Sequence, residues 1–292
     1  MKPPLFRYEA PRTLKEAVGI LASDPDAVVL AGGQSLVPAM NFRAANPSML
    51  VDIQHVDGLK GVTLRNGEII IRAMTRHREL ELDPDVRRVN PLIEETMRHV
   101  AHIPIRNRGT VVGSLCHADP SAEMPLLFVL LDGTLVAEGP KEIRQIPARE
   151  FFHSFLTTTR KQDEIVVEAR LPALPPGAGW AFDEVTRRHG DYAIVAVGCV
   201  LEIDAAGHAK GVRLAACGVA DRPVRLSKAE AALNGTLLTE AALDDAARVS
   251  MEVITQTDDM NISASYRRRV LGALIRRTIR AASHRAINRA RQ

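Results

Sequence analysis

Apolar and polar positions follow one another along the first part of the chain in a way that predicts helices and strands in turn. Residues 12–23 carry apolar side chains three and four positions apart, which indicates an amphipathic helix, and Thr13 and Glu16 have the spacing of a capping box at its start. The apolar runs at 27–33 and 48–53 show no alternation, which is typical of strands buried on both faces. This order of elements favours an α+β or mixed α/β architecture.

Three later segments extend this pattern. Residues 61–74 predict a hairpin, because Asn66-Gly67 separates two strand-like runs and this pair is a strong turn signal. Residues 90–101 predict a helix with a proline near its start. Residues 125–138 fit either a helix or a buried strand, followed by a turn and a further strand.

A segment rich in proline and glycine divides the chain. Residues 163–172 alternate as the last strand of the first region, and residues 172–179 contain three prolines and two glycines, a composition that favours a linker. Beyond it, three strand-like runs separated by turn residues are followed by helices. We therefore predict two domains, 1–174 and 177–292, which agrees with the usual domain size for a chain of 292 residues.

The composition restricts the class of protein. Hydrophobic residues make up 46% of the chain and charged residues 25%, which is ordinary for a globular protein and argues against disorder or a coiled coil. No run of about 18 apolar residues occurs, and residues 1–10 lack the features of a signal peptide. We therefore predict no membrane insertion and a cytoplasmic location.

The cysteines predict neither a disulfide framework nor a metal site. Cys116, Cys199 and Cys217 are far apart and odd in number, and no C-x-x-C pair occurs. If the function needs iron–sulfur clusters, another chain must carry them.

Positive charge accumulates at the C-terminal end, although the net charge of the whole chain is only +3. After Asp259 there is no acidic residue, and this region could be a basic tail that meets nucleic acid or an acidic partner. The alternative is the solvated face of an amphipathic helix, which the helical spacing of the apolar residues and the lack of interleaved aromatic residues favour. The arginines concerned are Arg267, Arg268, Arg269, Arg276, Arg277, Arg280, Arg285, Arg289 and Arg291.

The first segment with possible chemistry is AGGQS, residues 31–35. Gly32 and Gly33 permit a positive φ and close approach to a ligand, and successive backbone N–H groups at such a turn can form an anion cradle. Gln34 and Ser35 add side-chain donors suited to phosphate or ribose. The alternative is a tight turn between a strand and a helix, and neither a Walker loop nor a G-x-G-x-x-G fingerprint occurs.

A second segment, residues 108–125, concentrates small polar groups in what the sequence predicts to be one loop bracketed by Gly109 and Gly113. Asp119 and Glu123 could be a hydrolytic carboxylate pair or part of a metal site, although no histidine ligand motif accompanies them. Local hydrogen bonding is the alternative for His117. The polar residues concerned are Thr110, Ser114, His117, Asp119, Ser121 and Glu123.

A third segment, residues 187–195, combines a predicted Gly190-Asp191 turn with Tyr192 at the start of a strand. Packing in the core or at a sheet edge is one interpretation of this tyrosine. Stacking on a planar ligand is the other, because only 4% of the residues are aromatic and this one follows a turn.

Taken in order, these stretches resemble a known family. AGGQSLVP, RGTVVGSLCHADPSAEMP, DEIVVEARLP and RRHGDYAIV follow one another as in the FAD-binding medium subunits of the molybdenum hydroxylases. The resemblance begins near Phe6 and continues almost to the C-terminus. It implies a two-subdomain FAD-binding domain of the vanillyl-alcohol-oxidase (PCMH) type and a C-terminal α+β domain of antiparallel strands and helices like that of CO dehydrogenase flavoproteins.

The resemblance also implies which residues bind FAD, and it assigns no catalytic residue and no metal ligand to this chain. The first segment would hold the pyrophosphate, mainly through backbone amides: Leu30, Ala31, Gly32, Gly33, Gln34 and Ser35. The second would contact phosphate and ribitol or ribose, with acidic residues on the adenosine side: Thr110, Val112, Gly113, Ser114, His117, Asp119 and Glu123. Ile165 or Val166 would line the flavin, and Tyr192 would lie beside the isoalloxazine.

Two positions depart from the family pattern. Val112 stands where relatives usually carry glycine, and Glu184 stands where many carry lysine. The backbone at 112 is therefore expected to do without the freedom of glycine, and a cationic contact from the strand around 184 is not expected.

The resemblance further implies partners. A large subunit would carry the molybdenum cofactor, a small subunit two [2Fe-2S] clusters, and the assembly would be a dimer of heterotrimers. Electrons would reach the FAD of this chain from the clusters and pass to an external acceptor. Two alternatives stay open: a self-sufficient FAD-dependent oxidase or dehydrogenase, and an arginine-tailed nucleic-acid-binding protein.

Overall fold

The computed structural model describes residues 1–256, residue 258 and residues 262–290. Asp259 and Arg291, which entered the charge argument above, lie outside the described residues.

The chain begins with a small parallel sheet in the order β1–β3–β2. The apolar run at 27–33 is predicted to be strand throughout, but β2 ends at Leu30, because Gly32 and Gly33 turn the backbone away. The elements are β1 (Arg7–Glu9), α1 (Leu14–Ser23), β2 (Ala27–Leu30), α2 (Leu36–Asn41) and β3 (Met49–Asp52).

The predicted start of α1 is confirmed in part. The Glu16 N–H donates to Thr13 Oγ1 at 3.2 Å, so Thr13 is the N-cap. The Glu16 carboxylate, however, accepts from the N–H of Arg12 at 3.0 Å rather than from that of Thr13. The capping box is therefore displaced by one residue at its N-terminal end.

A hairpin and six short helices follow. Asn66 and Gly67 both have positive φ, 53° and 77°, as a two-residue hairpin turn requires, which confirms the prediction. The elements are β4 (Val62–Arg65), β5 (Glu68–Arg72), α3 (His77–Leu82), α4 (Pro84–Val89), α5 (Pro91–Met97), α6 (Ile103–Arg106), α7 (Val111–His117) and α8 (Glu123–Leu130).

A five-stranded antiparallel sheet completes the first region, in the order β4–β5–β10–β6–β7. The hairpin β8–β9 is separate from it. The elements are β6 (Thr134–Glu138), β7 (Ile143–Pro147), α9 (Ala148–Phe151), β8 (Phe152–Ser154), β9 (Thr157–Thr158) and β10 (Ile165–Pro172).

The structure corrects the prediction of one loop over 108–125. Most of this segment belongs to α7 and the start of α8, joined by a short turn. The reason is that Thr110 caps α7, while Val111, Val112 and Leu115 bury an apolar face. At 125–138, where the sequence allowed a helix or a buried strand, the backbone is helical to Leu130 and is followed by a turn and a strand. All eight residues of α8 are buried, so the helix has no polar face that its sequence could reveal.

The second region is an antiparallel sheet, β11–β12–β13–β14, covered by helices. The predicted strands are confirmed, except that β12 begins at Val195, so Tyr192 lies in the preceding loop and does not open the strand. The elements are β11 (Gly179–Val185), β12 (Val195–Ile203), β13 (Ala209–Cys217), β14 (Val224–Arg225), α10 (Ser227–Leu233), α11 (Glu240–Ser250), a 3-10 turn (Met251–Val253) and α12 (Ala264–Ala290).

Strand β12 joins two hydrophobic cores. Ala196 and Val200 belong to the core of the first region, whereas Val197 and Cys199 belong to a second core with α12. The alternation follows from the opposite directions of successive side chains in a strand. Packing of α8 on one face of this sheet and α12 on the other explains why the strand carries no polar side chain from Val195 to Leu201.

The arginines of α12 bind groups of the chain itself. The guanidinium of Arg285 lies 2.7 Å from a carboxylate oxygen of Glu95, and that of Arg277 lies 2.9 Å from Asp183. The apolar face of the helix is buried. These contacts favour the interpretation of this segment as an amphipathic helix. The arginines with intrachain hydrogen bonds or ion pairs include Arg267, Arg276, Arg277, Arg280, Arg285 and Arg289. Among the described residues, no helix is long and apolar enough to cross a membrane.

Candidate cofactor-binding site

The first and second segments meet backbone to backbone. A Cβ placed on Gly32 would lie 2.6 Å from the carbonyl oxygen of Arg108, 2.7 Å from Cα of Gly109 and 3.0 Å from the nitrogen of Thr110. All three atoms belong to the main chain and cannot rotate away. Only glycine at position 32 allows the loop after β2 to lie against the loop before α7.

The first segment presents a run of unused donors. Gly33 has a φ of +73°, and Gln34 folds back so that its Nε2 donates to the Gly32 carbonyl at 3.2 Å. Within the described part of the chain, the N–H groups of residues 32–35 donate to no acceptor. Consecutive free N–H groups in a turn with a left-handed residue form an anion cradle, which fits a phosphate-bearing cofactor.

The start of α7 lies beside the turn of residues 31–35. The Gly113 N–H donates to Thr110 Oγ1 at 3.1 Å, and a Cβ on Gly113 would lie 2.5 Å from the same hydroxyl and 4.0 Å from Cβ of Ala31. Val112 has a helical backbone and is 3% exposed. Its side chain packs into the first core, so this position needs no glycine, and the departure from the family pattern leaves the helix intact.

A buried ion pair between Arg106 and Glu81 lies next to the loop before α7. Nε of Arg106 donates to Glu81 Oε2 at 2.9 Å, and Nη2 donates to Oε1 at 3.3 Å. The His77 N–H donates to the Gly109 carbonyl at 3.0 Å, and burial lowers the pKa of His77 to about 4, so its imidazole is neutral. The sequence gives no signal that separates this Arg106–Glu81 pair from surface charges, because both residues are ordinary in solvated helices.

The third segment brings Tyr192 to the first two. The side chain of Tyr192 is 49% exposed. Partial burial is the main cause that raises the pKa of Tyr192 to about 12, and the negative charges of Asp119 and Glu123 add to it. A hydrogen bond with Ser35 acts in the opposite direction. The tyrosine therefore stands between the AGGQS turn and the acidic end of the second segment.

The two carboxylates of the second segment differ in environment. Asp119 accepts a hydrogen bond from the Ser121 N–H at 2.9 Å, and partial burial raises its pKa. Glu123 is 4% exposed, and burial, followed by the charge of Glu184, raises its pKa to about 8. Glu184 in turn pairs with His99 at 3.1 Å between Oε1 and Nδ1. The described residues contain no group of three side chains placed to hold a metal ion.

The buried Glu123 carboxyl predicts a pH-dependent stability. Its pKa of about 8 means that the folded chain keeps a proton that the unfolded chain releases near 4.5, so stability falls as the pH rises from 4.5 to about 8 and is level above that. We expect Glu123→Gln to remove this loss and to exceed the wild type by a few kcal/mol above that pH, since one pKa unit corresponds to about 1.4 kcal/mol.

Urea unfolding of both proteins at a series of pH values measures this difference. The matched control is Glu142→Gln, because Glu142 is exposed and Lys161 lowers its pKa, so its titration affects only the acid range. Parallel stability curves for wild type and Glu123→Gln would contradict the prediction.

The remaining residues of the predicted site are buried or half-buried. Ile165 and Val166 are 2% and 3% exposed and pack in the first core beside α7, where their side chains are covered. Leu30, Ser114 and His117 are half-buried, and burial lowers the pKa of His117. The structure thus brings together the AGGQS turn, residues 108–114 and Tyr192, while Val112, Glu123, Ile165 and Val166 turn their side chains inward.

A cavity of about 570 Å³ lies elsewhere, in the second region. None of the site residues predicted from the sequence lines it. Its walls come from the β12–β13 turn, the segment before α11 and the end of α12, including Asp204, Leu237 and Ile287.

Comparison with protein families matches nearly the whole chain. Residues 4–174 match the FAD binding domain in molybdopterin dehydrogenase, and residues 180–282 match the CO dehydrogenase flavoprotein C-terminal domain.

Individual relatives match over almost their full length. The chain is 37% identical to the 6-hydroxypseudooxynicotine dehydrogenase complex subunit alpha of Paenarthrobacter nicotinovorans, over 98% of this chain and 97% of the relative. It is 34% identical to the carbon monoxide dehydrogenase medium chain of Hydrogenophaga pseudoflava, over 97% and 98%. The crystal structure of quinoline 2-oxidoreductase from Pseudomonas putida 86 superimposes with a TM-score of 0.94 at 35% identity, over 98% of this chain and 100% of that one.

Proposed function

Since this chain belongs to the FAD-binding medium subunits of the molybdenum hydroxylases, we propose that it is the electron-transfer subunit of such an enzyme. Its FAD-binding domain is proposed to span residues 1–174 and its C-terminal domain residues 177–292. Relatives are subunits of multi-subunit dehydrogenases. We therefore propose that this chain, too, works together with partner subunits.

The free N–H groups of the AGGQS turn carry the proposal for FAD binding. Residues 31–35 would hold the pyrophosphate through the main chain, with Leu30 at the edge of the turn. Val112 would contribute through its backbone only, because its side chain is buried. The second segment would contact phosphate and sugar through Thr110, Gly113, Ser114 and His117, with Asp119 and Glu123 on the adenosine side.

The flavin ring would lie where the two regions of the chain meet. Tyr192 would stand beside the isoalloxazine, supported by its position next to Ser35. The backbone at Ile165 and Val166 would form the floor, because both side chains are buried. When bound, FAD supplies two-electron and one-electron redox chemistry, and the residues of this chain place it and limit its contact with water.

The proposed complex is a dimer of heterotrimers in the cytoplasm. A small subunit would carry two [2Fe-2S] clusters, and a large subunit would carry the molybdenum cofactor and the organic substrate. This chain would receive electrons from the small subunit and pass them to an external acceptor. Co-purification of iron and molybdenum with the native protein would support this proposal over a self-sufficient flavoprotein, which would carry neither.

Reconstitution of the full chain with FAD tests the central claim. We expect the purified protein to bind FAD and to become yellow, with the flavin absorption bands retained after gel filtration. The same experiment with FMN distinguishes recognition of the pyrophosphate and adenosine from recognition of the ring alone, and we expect FMN to be lost on the column. A folded chain, verified by circular dichroism, that retains no FAD refutes the proposal.

A further inference from the structure

The turn before α6 has a strained backbone, and the buried side chain of Arg106 binds its carbonyl groups. Ala101 has a φ of +44°, a left-handed conformation that residues other than glycine rarely adopt. Nη1 of the buried Arg106 donates to the carbonyls of Val100 at 2.9 Å and Ala101 at 3.1 Å. A strained turn persists only where its surroundings impose it. Because of this turn, the next residue, His102, lies at the surface.

His102 faces the tip of the loop between β11 and β12. Gly190 has a φ of +84°, and a Cβ on it would lie 2.6 to 2.9 Å from three ring atoms of His102. The ring of His189 stacks on that of His102, with centroids 6.0 Å apart and planes inclined by 28°. The main chain at position 190 therefore rests directly on the imidazole, with no room for a side chain.

The same loop carries Tyr192. The base of the loop is fixed by a hydrogen bond from the Ile194 N–H to the Val185 carbonyl at 2.8 Å. The tip of the loop is closed by a hydrogen bond from the Asp191 N–H to the Arg188 carbonyl at 3.1 Å. Tyr192 lies between the fixed base and the tip that rests on His102. A displacement of the tip therefore moves Tyr192 relative to Ser35.

We propose that His102 is a positioning residue that, through Gly190, places Tyr192 at the flavin site. Among the described residues, the imidazole makes no hydrogen bond to Ser35 or to the N–H groups of residues 32–35, so it would act on the flavin environment through the loop. Removing the ring leaves the tip of the loop without its support, and Tyr192 moves away from its place beside Ser35. This inference rests on the proposed function, because it requires FAD in the site.

Flavin fluorescence of the reconstituted full chain tests the proposal, since a tyrosine stacked beside an isoalloxazine quenches its emission. The variant Tyr192→Ala defines the unquenched level. We expect His102→Ala to raise the fluorescence of bound FAD toward that level while its affinity for FAD stays at the wild-type value. His102→Phe keeps a flat ring under Gly190 and is expected to restore quenching, whereas general damage to the site would lower the affinity of His102→Ala for FAD.

A second variant approaches the same contact from the other side. Gly190→Ala places a methyl group against the His102 ring and is expected to raise the fluorescence in the same way. The matched control is His153→Ala, because His153 is exposed and its hydrogen bond to Arg222 uses only its backbone carbonyl.

The outcomes separate the two proposals. Failure of the wild-type chain to bind FAD refutes the proposed function. Binding of FAD with Tyr192→Ala brightened and both His102→Ala and Gly190→Ala unchanged overturns the role of His102 and leaves the proposed function intact. An unchanged Tyr192→Ala protein that binds FAD overturns the inference as well, because Tyr192 then does not lie beside the flavin.

Discussion

Gly32→Ala is expected to weaken FAD binding by about tenfold to hundredfold, because overpacking costs typically about 1–3 kcal/mol and each 1.4 kcal/mol is a factor of ten. The added methyl group would lie 2.6 Å from the Arg108 carbonyl oxygen and 2.7 Å from Cα of Gly109. Both are backbone atoms, so the loop after β2 must move away from the loop before α7. Titration of the full chain with FAD, followed by flavin absorbance, measures the change in affinity.

Gly19→Ala is the matched control for this experiment. Gly19 lies in α1, and a Cβ there would meet nothing within 4 Å. We expect unchanged FAD affinity and a gain in stability of up to about 1 kcal/mol, because alanine has the higher helix propensity. If Gly32→Ala bound FAD as tightly as Gly19→Ala, the close contact between the two loops would have no part in binding.

Arg106→Ala is expected to lower the free energy of unfolding by about 3–5 kcal/mol, the usual effect of removing one partner of a buried ion pair. The variant leaves the Glu81 carboxylate buried without its two guanidinium donors, and it leaves the carbonyls of Val100 and Ala101 without theirs. Since domains are commonly stable by only about 5–15 kcal/mol, this is a large fraction of the total. Urea unfolding followed by circular dichroism measures the loss.

Two further variants show whether geometry or charge is responsible. Arg106→Lys keeps the charge but cannot serve Glu81 and both carbonyls at once, so we expect an intermediate loss. Arg88→Ala removes an exposed arginine whose partner Asp85 is also exposed, and we expect a loss within about 1 kcal/mol. Equal losses for Arg106→Ala and Arg88→Ala would contradict the assignment of a structural role to the buried pair.

The proposed site depends on contacts between the two regions of the chain. Ser35 and Thr110 belong to the first region, whereas Tyr192 belongs to the loop between two strands of the second. Glu123 lies at the same junction, near Glu184 and His99. A change in the contact between the regions would therefore alter the position of Tyr192 and the protonation of this carboxyl together.

The segments proposed to form the site could be singled out from the sequence because their signals are local. Gly32 and Gly33, the spacing of the polar residues from Thr110 to Glu123, and the turn before Tyr192 are properties of short segments. The apolar spacing likewise predicted α1, the hairpin β4–β5 and the amphipathic nature of α12. Errors arose where local composition was misleading. The polar residues of 108–125 indicated a loop, but a capped apolar face makes α7 a helix.

The sequence by itself determined the family, through its ordered motifs, and most of the helices and strands, because propensity, capping and turn formation depend on neighbouring residues. Only the tertiary structure decided that Gly32 touches the main chain of residues 108–110, that Arg106 and Glu81 pair in the interior, and that His102 meets Gly190. These contacts join residues that are distant in sequence. They depend on how the sheets and helices pack, which no pattern within a short segment specifies.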